Sequence, residues 1–457
     1  MTLIKSISGI RGTIGGKYRE NLTAQDIVEC TAAYGSWILK QENHKKVVIG
    51  RDGRISGAMV SALISNTLLS MGIDVVDLGL STTPTVEIAV PLEKAQGGII
   101  VTASHNPKEW NALKFLNNQG EFISAQDGED ILELIDGGLI SYAKVDELGT
   151  YSTDESYIDK HIDLILALDS IKIEQIKSKN YHVIVDCINS TGAISIPPLL
   201  EKLGCSYELV NGEVNGEFAH NPEPLPKHLK ETCTLVANSK AALGIVVDPD
   251  VDRLAFINED GSWFGEEYTL VAIADYVIKN NKGDTVSNLS STRALRDVTE
   301  KHGGNYHAAA VGEVNVVTKM KAVKAVIGGE GNGGIILPAL HYGRDALVGI
   351  ALLLSSLSEK DQKMSELRST FPNYEMIKDK IKLDESIDLE RIFKILKIKF
   401  ASENLNTIDG LKINYPNAWV HLRKSNTEPI IRIYSEAETK EGADKLVTEI
   451  KAAINNI

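Results

Sequence analysis

The chain predicts an α/β protein: several similar strand-and-helix domains, then a smaller α+β domain of a different kind. One phrase recurs along it, a short β-branched run, a turn rich in Gly, Asp or Ser, and a helical pattern. Continuous apolar strands alternating with helices indicate sheets covered on both faces. The phrase returns about every 100 residues, too widely for a solenoid, whose repeats run about 20–50 residues. Length agrees: 457 residues exceed what one core serves, and ordinary domain size suggests about three domains.

Taken in order, Val47-Val48-Ile49 leads into Gly50-Arg51-Asp52-Gly53-Arg54, and Ile99-Ile100-Val101 into Thr102-Ala103-Ser104-His105-Asn106-Pro107. Asn106-Pro107 reads as a helix start, with Asn as N-cap and Pro in the first helical position. Ser104 is thereby placed in a strand-to-helix turn, its hydroxyl exposed at the carboxyl edge of a sheet, where open α/β sheets bind ligands. Val183-Ile184-Val185 runs into Asp186-Cys187-Ile188-Asn189-Ser190-Thr191-Gly192. Ile245-Val246-Val247 ends in Asp248-Pro249-Asp250-Val251-Asp252-Arg253, and Val326-Ile327 in the glycine-dense run from Gly328 to Gly334. A long helix is expected from about Asp345. The remainder differs in character: Trp419 to Arg423, a turn, Ile430 to Tyr434 and a final amphipathic helix make a strand–loop–strand–helix unit suited to a lid. The Gly137-Gly138 break and the polar stretch from Ser141 to Ser156 place the first boundary, and the expected domains are 1–151, 152–254, 255–370 and 371–457.

A hydrophobic content of 43% and a charged content of 24% are ordinary for a soluble protein. The formal charge of −14 argues against a general nucleic-acid binder, although a few arginines can still set the potential of an anion site. Cys30, Cys187, Cys205 and Cys233 lie far apart without a Cys-x-x-Cys pair, so neither a cysteine zinc site nor a disulfide framework is expected. Met1 to Gly9 lacks the apolar core of a signal peptide, and the longest apolar stretch, Ala346 to Leu354, is too short to span a bilayer. These features predict a cytoplasmic protein with no nucleic-acid or membrane partner, as a monomer or homodimer.

Several groups could carry chemistry. Asp248, Asp250 and Asp252 alternate, so in an extended segment they would point to one side. Gathered about 4 Å apart, each pair repels by roughly 1–4 kcal/mol, a cost that a cation removes. All-oxygen ligands favour Mg²⁺, Mn²⁺ or Ca²⁺. An EF-hand is excluded, since Arg253 stands where its loop needs Gly and a strand precedes the segment. Arg253 either grips a phosphate or balances the aspartates. In the glycine loop, Glu330 and Asn332 could hold adjacent sugar hydroxyls. Arg423-Lys424-Ser425-Asn426-Thr427-Glu428-Pro429, with Arg432 beyond it, gathers cations, hydroxyls and an amide suited to a phosphate. Arg11 and Lys114 are lone charges, and the histidines, His105 and His341 among them, show no ligand spacing.

These segments, in this order, resemble the α-D-phosphohexomutase superfamily over essentially the whole chain. Ser8-Gly9-Ile10-Arg11-Gly12 looks like its opening arginine motif, Thr102 to Pro107 like its phosphoserine loop and Asp248 to Arg253 like its metal loop. Glu330 to Gly334 looks like its sugar loop and Arg423 to Pro429 like its phosphate loop. The resemblance implies three similar α/β/α domains and a C-terminal TBP-like domain around a central active-site cleft. It implies that Ser104 is phosphorylated and, with Asp248, Asp250 and Asp252, ligates one Mg²⁺ per chain. Lys114 would move a proton, Arg11 and Arg253 would contact the reacting phosphoryl group or sugar, and His105 joins the catalytic set beside Ser104. Glu330 and Asn332 would meet the sugar, and Arg423, Ser425, Asn426, Thr427 and Arg432 the distal phosphate.

The implied reaction is a reversible mutase step on a phosphosugar, with a sugar 1,6-bisphosphate as intermediate and activator. Glucosamine 6-phosphate to glucosamine 1-phosphate is the expected conversion. Mannose or glucose phosphates are the nearest alternative, and a metal-dependent sugar phosphatase a more distant one. The chain departs from the pattern in its sugar loop, usually Glu-x-Ser-Gly-His in the bacterial enzymes and here Glu330-Gly331-Asn332-Gly333-Gly334. His341 is the candidate to replace the missing histidine. The phosphate loop is mixed: Ser425-Asn426-Thr427 is similar to phosphomannomutase/phosphoglucomutases, and Thr427-Glu428-Pro429 followed by Arg432 to phosphoglucosamine mutases.

Overall fold

The buried strand expected at Gly98 to Val101 is Gly97–Val101 in the computed structural model, which describes residues 1–6, 9–41, 45–137, 140–382, 389–424 and 430–455. It lies inside a seven-stranded sheet, antiparallel to Trp110–Leu116 and parallel to Lys46–Arg51. Asp74–Leu80 and Tyr151–Thr153 extend the parallel side, and Gly9–Thr13 and Ile4–Ser6 the antiparallel side. Successive strand residues face opposite ways. Val47, Ile49, Ile99 and Val101 therefore join one core with Ile27, Tyr34, Ile38, Val60, Ile64 and Leu68 from helices Ala24–Leu39 and Gly57–Ser70. Val48 and Ile100 pack on the other face against Val86, Ala89 and Val90 of helix Thr83–Leu92.

The helix expected at Asn106-Pro107 does not form. Ser104 sits instead in a pair of turns that leads to strand Trp110–Leu116. The reason is a contact distant in sequence: the carbonyls of Ser104, Asn106, Pro107 and Trp110 all accept from Arg54. They are therefore lost to a helical ladder, while residues 110–116 pair with strands on both sides.

The chain divides into two units, one comprising Met1–Thr269 and Asn332–Leu367, the other Leu270–Gly331 and Arg368–Ile457. The first unit also holds a four-stranded sheet in which Leu243–Val247 pairs in parallel with His182–Asp186 and antiparallel with Leu254–Asn258. Its helix Ala346–Lys360 follows an N-cap at Asp345, whose Oδ1 accepts from the Leu347 and Val348 amides. Residues 346–358 are buried all round, which is why the segment reads as apolar throughout.

In the second unit Thr285–Asn288 pairs in parallel with Tyr306–Ala309 and Ile327–Glu330. A five-stranded antiparallel sheet runs in the order Glu375–Lys382, Ile430–Ala437, Trp419–Lys424, Leu411–Asn414 and Asn404–Asn406. Helices Leu389–Lys399 and Lys440–Asn455 supply Ile392, Leu396, Val447 and Ile450 to its core. The C-terminal part is thus larger than the strand–loop–strand–helix unit expected, because three polar, short or edge strands carry little apolar signal. Among the described residues no helix is long and apolar enough to cross a membrane.

Leu352 is fully buried in helix Ala346–Lys360. Leu352→Ala is expected to destabilise the first unit by about 2–5 kcal/mol, read as a lower denaturant midpoint with helical content retained below it.

Candidate active site

Ser104 stands at the carboxyl end of the buried strand Gly97–Val101 with φ 48°, in the left-handed region where a side chain is strained. Three side chains behind it hold that conformation. Thr102 Oγ1 accepts from the Ser104 amide (2.9 Å) and donates to Asp52 Oδ2 (2.7 Å). Asp52 pairs with Arg54 Nε (3.0 Å), and Arg54 Nη2 reaches the Ser104 carbonyl at 2.5 Å. Arg54 is only 1% exposed, and its planar fork satisfies four carbonyls of one loop. Sequence reasoning passed over Arg54, Asp52 and Thr102. The signal for Asp52 and Arg54 was present in the Gly50–Arg54 turn at the end of the neighbouring strand, and Thr102 opens the Ser104 loop itself.

The Ser104 hydroxyl is not exposed as expected; the residue is 7% accessible, and its Oγ donates to Asp248 Oδ2 at 2.7 Å. His105 Nδ1 lies 3.4 Å from the same Oγ. Asp248, Asp250 and Asp252 are buried with carboxylate oxygens within 4.8 Å of one another. They do not converge by extended alternation. Val251 takes φ 60°, an uncommon value for a β-branched residue, and its amide closes a turn onto the Asp248 carbonyl. The turn is pinned from outside: Ser190 and Thr191 hydroxyls donate to the Pro249 carbonyl at 2.6 and 2.9 Å, and Thr83 donates its amide to the Asp250 carbonyl.

Cations face the carboxylates. Lys114 Nζ is 2.9 Å from Asp250 Oδ2 and 3.9 Å from Asp252. Arg344 Nη2 donates to Asp252 Oδ2 at 2.5 Å, and Arg253 Nε lies 3.9 Å from both Asp248 and Asp252. Arg344 was not anticipated; its signal is its place directly before the helix N-cap Asp345. Burial and the charges of Asp252 and Asp250 push the Asp248 carboxyl well above its ordinary range. Burial would raise Asp250 too, but Lys114 and the Thr83 hydroxyl hold it below. Burial alone would lower the Lys114 ammonium; Asp250 and Asp252 outweigh it and keep it protonated. Arg253, then burial, push His105 well below its ordinary value, so the imidazole is neutral.

The donor set fits a hard divalent cation. Asp250 Oδ1 and Asp252 Oδ1 are buried and accept no hydrogen bond among the described residues. With Asp248 and Ser104 Oγ they make an all-oxygen group of the kind Mg²⁺ prefers.

The remaining expected residues fall elsewhere. Arg11 lies on Gly9–Thr13, opposite Ala112 of the strand that carries Lys114. Glu330 ends strand Ile327–Glu330 with its Oε1 accepting from Asn288 Nδ2 at 2.8 Å. Asn332 Oδ1 caps the Gly334 amide, and Gly333 (φ 87°) passes so close to the Leu254 carbonyl that a Cβ would overlap it. Arg423 and Arg432 are directly opposed on adjacent strands, and Lys380 faces Arg432 from the next. Ser425, Asn426 and Thr427 lie outside the described residues. His341 is not spare for a sugar loop: its ring nitrogens lie 3.4 Å from Glu87 and 3.3 Å from Asp345.

The chain is similar to known proteins along nearly its whole length. Models of the phosphoglucomutase/phosphomannomutase α/β/α domains I, II and III match residues 3–138, 155–261 and 265–374, and that of the C-terminal domain matches 377–453. A phosphoglucomutase/phosphomannomutase of Thermococcus kodakarensis is 34% identical over 442 residues, covering 94% of this chain and 95% of its own. A phosphoglucosamine/phosphogalactosamine mutase of Sulfurisphaera tokodaii is 33% identical over 454 residues, 98% of each. The crystal structure of a family protein from Burkholderia thailandensis superposes with a TM-score of 0.87 at 25% identity, covering 99% of this chain and 97% of its own.

A proton and a cation compete for Asp248, so Mg²⁺ affinity is expected to rise with pH through the raised Asp248 pKa. Asp250→Asn is expected to weaken Mg²⁺ binding by more than about tenfold, both measured by calorimetric titration.

Proposed function

The chain belongs to the phosphoglucomutase/phosphomannomutase family, and on that footing we propose that it interconverts glucosamine 6-phosphate and glucosamine 1-phosphate through phosphorylated Ser104. Phosphoryl transfer on a hexose phosphate follows from membership; the sugar and the roles below are our reading. The observation that carries it is the Ser104 hydroxyl, held in a strained turn 2.7 Å from one of three clustered carboxylates.

In this reading the Ser104 Oγ–P bond breaks as a bond forms from the sugar hydroxyl oxygen to phosphorus. Lys114, kept protonated by Asp250 and Asp252, gives its proton to Ser104 Oγ and recovers one from the sugar hydroxyl. The bisphosphorylated sugar then turns over, and its other phosphate returns to Ser104. Mg²⁺ held by Asp248, Asp250, Asp252 and phosphoserine would neutralise charge on the transferring phosphoryl oxygens. Arg253 and Arg11 contact that group or the sugar, and neutral His105 lies beside Ser104 Oγ. Glu330 and Asn332 take sugar hydroxyls.

The row Lys380–Arg432–Arg423 supports a phosphate clamp. Like charges directly opposed across strands repel, and a dianion relieves them. Ser425, Asn426 and Thr427 would complete the clamp. The domain limits we propose are 1–151, 152–254, 255–370 and 371–457. Four free cysteines and a sugar-phosphate substrate suit the cytoplasm.

The name of the Sulfurisphaera relative supports the amino-sugar reading. That of the Thermococcus relative supports a second one, on glucose or mannose phosphates. Rates on glucosamine 6-phosphate against glucose and mannose phosphates decide between them, with a higher kcat/KM on the amino sugar expected.

The purified chain is expected to carry the mass of one added phosphate, absent in Ser104→Ala, which should bind phosphosugar without turnover. Loss of the mass shift in wild type after incubation with sugar bisphosphate would sink the covalent scheme. Lys114→Met is expected to lower kcat by about 10²–10⁴-fold with a smaller change in KM, measured in steady-state assays.

A further inference from the structure

Away from Ser104, the first unit buries a second cluster of metal-ligating side chains: His161 of helix Tyr157–Leu166, His341, and the N-cap Asp345. His161 and Asp345 are fully buried, while the His341 side chain is 12% exposed, which leaves an ion a route in. Asp345 Oδ2 lies 2.9 Å from His161 Nε2 and 3.3 Å from His341 Nε2, and the three ligand atoms fall within 4.8 Å of one another. In a tetrahedral site with bonds of about 2.0–2.1 Å, ligand atoms are spaced about 3.3 Å apart. The two rings meet edge-on, 87° between planes.

Hydrogen bonds leave this cluster incomplete: His341 Nδ1 is buried and makes no hydrogen bond among the described residues. His341 stands between two carboxylates, Glu87 Oε2 at Nδ1 (3.4 Å) and Asp345 Oδ2 at Nε2 (3.3 Å). A neutral imidazole has one N–H and can donate to only one of them. His161 meets Thr85 Oγ1 at Nδ1 (3.0 Å) and the same Asp345 oxygen at Nε2. A cation on both Nε2 atoms would complete the cluster and leave the N–H of each ring on Nδ1, 3.0 Å from the Thr85 hydroxyl in His161 and 3.4 Å from the Glu87 carboxylate in His341. Such outward partners orient metal-bound histidines generally. Glu87 and Thr85 share helix Thr83–Leu92, and the Glu87 carboxylate lies where a Cβ on Gly343 would overlap it. Asp345 Oδ1 is already turned to the Leu347 and Val348 amides, which fixes its Oδ2 toward the histidines.

We propose that His161 Nε2, His341 Nε2 and Asp345 Oδ2 form a second metal site, for a borderline transition-metal ion of the Zn²⁺ or Co²⁺ class, with water in the fourth position. Two imidazoles and one carboxylate select such ions over Mg²⁺. The site clamps helix Tyr157–Leu166 to the start of helix Ala346–Lys360. It thereby steadies Arg344, the residue before Asp345, on Asp252. Its role is to hold structure, and it does not depend on which sugar the chain takes.

The test uses the full chain, stripped with a chelator and dialysed against Co²⁺ alone. The strong visible absorption of a four-coordinate cobalt ion is expected, retained in Asp250→Asn and lost in His341→Gln. Zn²⁺ should also raise the thermal midpoint of wild type, and not that of His341→Gln. X-ray absorption at the zinc edge of the wild-type chain needs no variant and should show outer-shell scattering from two imidazoles. The proposal is overturned if no such band appears, if the band survives His341→Gln or depends on Asp250, or if zinc shows oxygen ligands only.

Discussion

Three carboxylates at one buried point can persist only where positive charge faces them, because burying unpaired charge costs several kcal/mol per ion. Asp248, Asp250 and Asp252 meet this condition with Lys114, Arg344 and Arg253, drawn from three separate stretches of the chain. Much of the first unit serves that compensation. A strand presents Lys114, a helix N-terminus presents Thr83 to Asp250, and the residue before another helix presents Arg344. The same compensation leaves Asp250 Oδ1 and Asp252 Oδ1 without hydrogen-bond donors among the described residues, so the group remains ready for a cation.

Ser104 depends on a different constraint. Its left-handed backbone costs about 1–3 kcal/mol, and the Arg54–Asp52–Thr102 relay over-determines it from behind. Burying a guanidinium is tolerable here because its N–H groups meet four carbonyls and a carboxylate. The arrangement makes the position of Ser104 a property of the sheet beneath it: Asp52 and Thr102 stand at the ends of neighbouring parallel strands.

The second unit handles charge in the opposite sense. Lys380, Arg432 and Arg423 line up across three antiparallel strands, and Asp409 lies 3.4 Å from Arg423. An excess of cations on a rigid sheet suits an anion that comes and goes. The first unit thus gathers carboxylates and the second gathers cations, each on its own framework.

Much was legible in the residues themselves. Apolar runs marked the strands Gly97–Val101, His182–Asp186 and Leu243–Val247, since a strand buried on both faces has no polar residue to interrupt it. Ser104 and the three aspartates were legible because their residue types have few other uses at a strand end. What the sequence could not decide was contact at long range. It misread Asn106-Pro107 as a helix start because Arg54, some fifty positions earlier, claims the carbonyls that a helix would need. It took the aspartates for an extended row, whereas Val251 bends them together. It found no ligand spacing among histidines, because His161 on helix Tyr157–Leu166 and His341 in the loop before helix Ala346–Lys360 meet only in the folded chain. Local pattern determines which groups a chain owns; which of them face one another is set by packing, where distances of 3 Å arise between residues far apart in order.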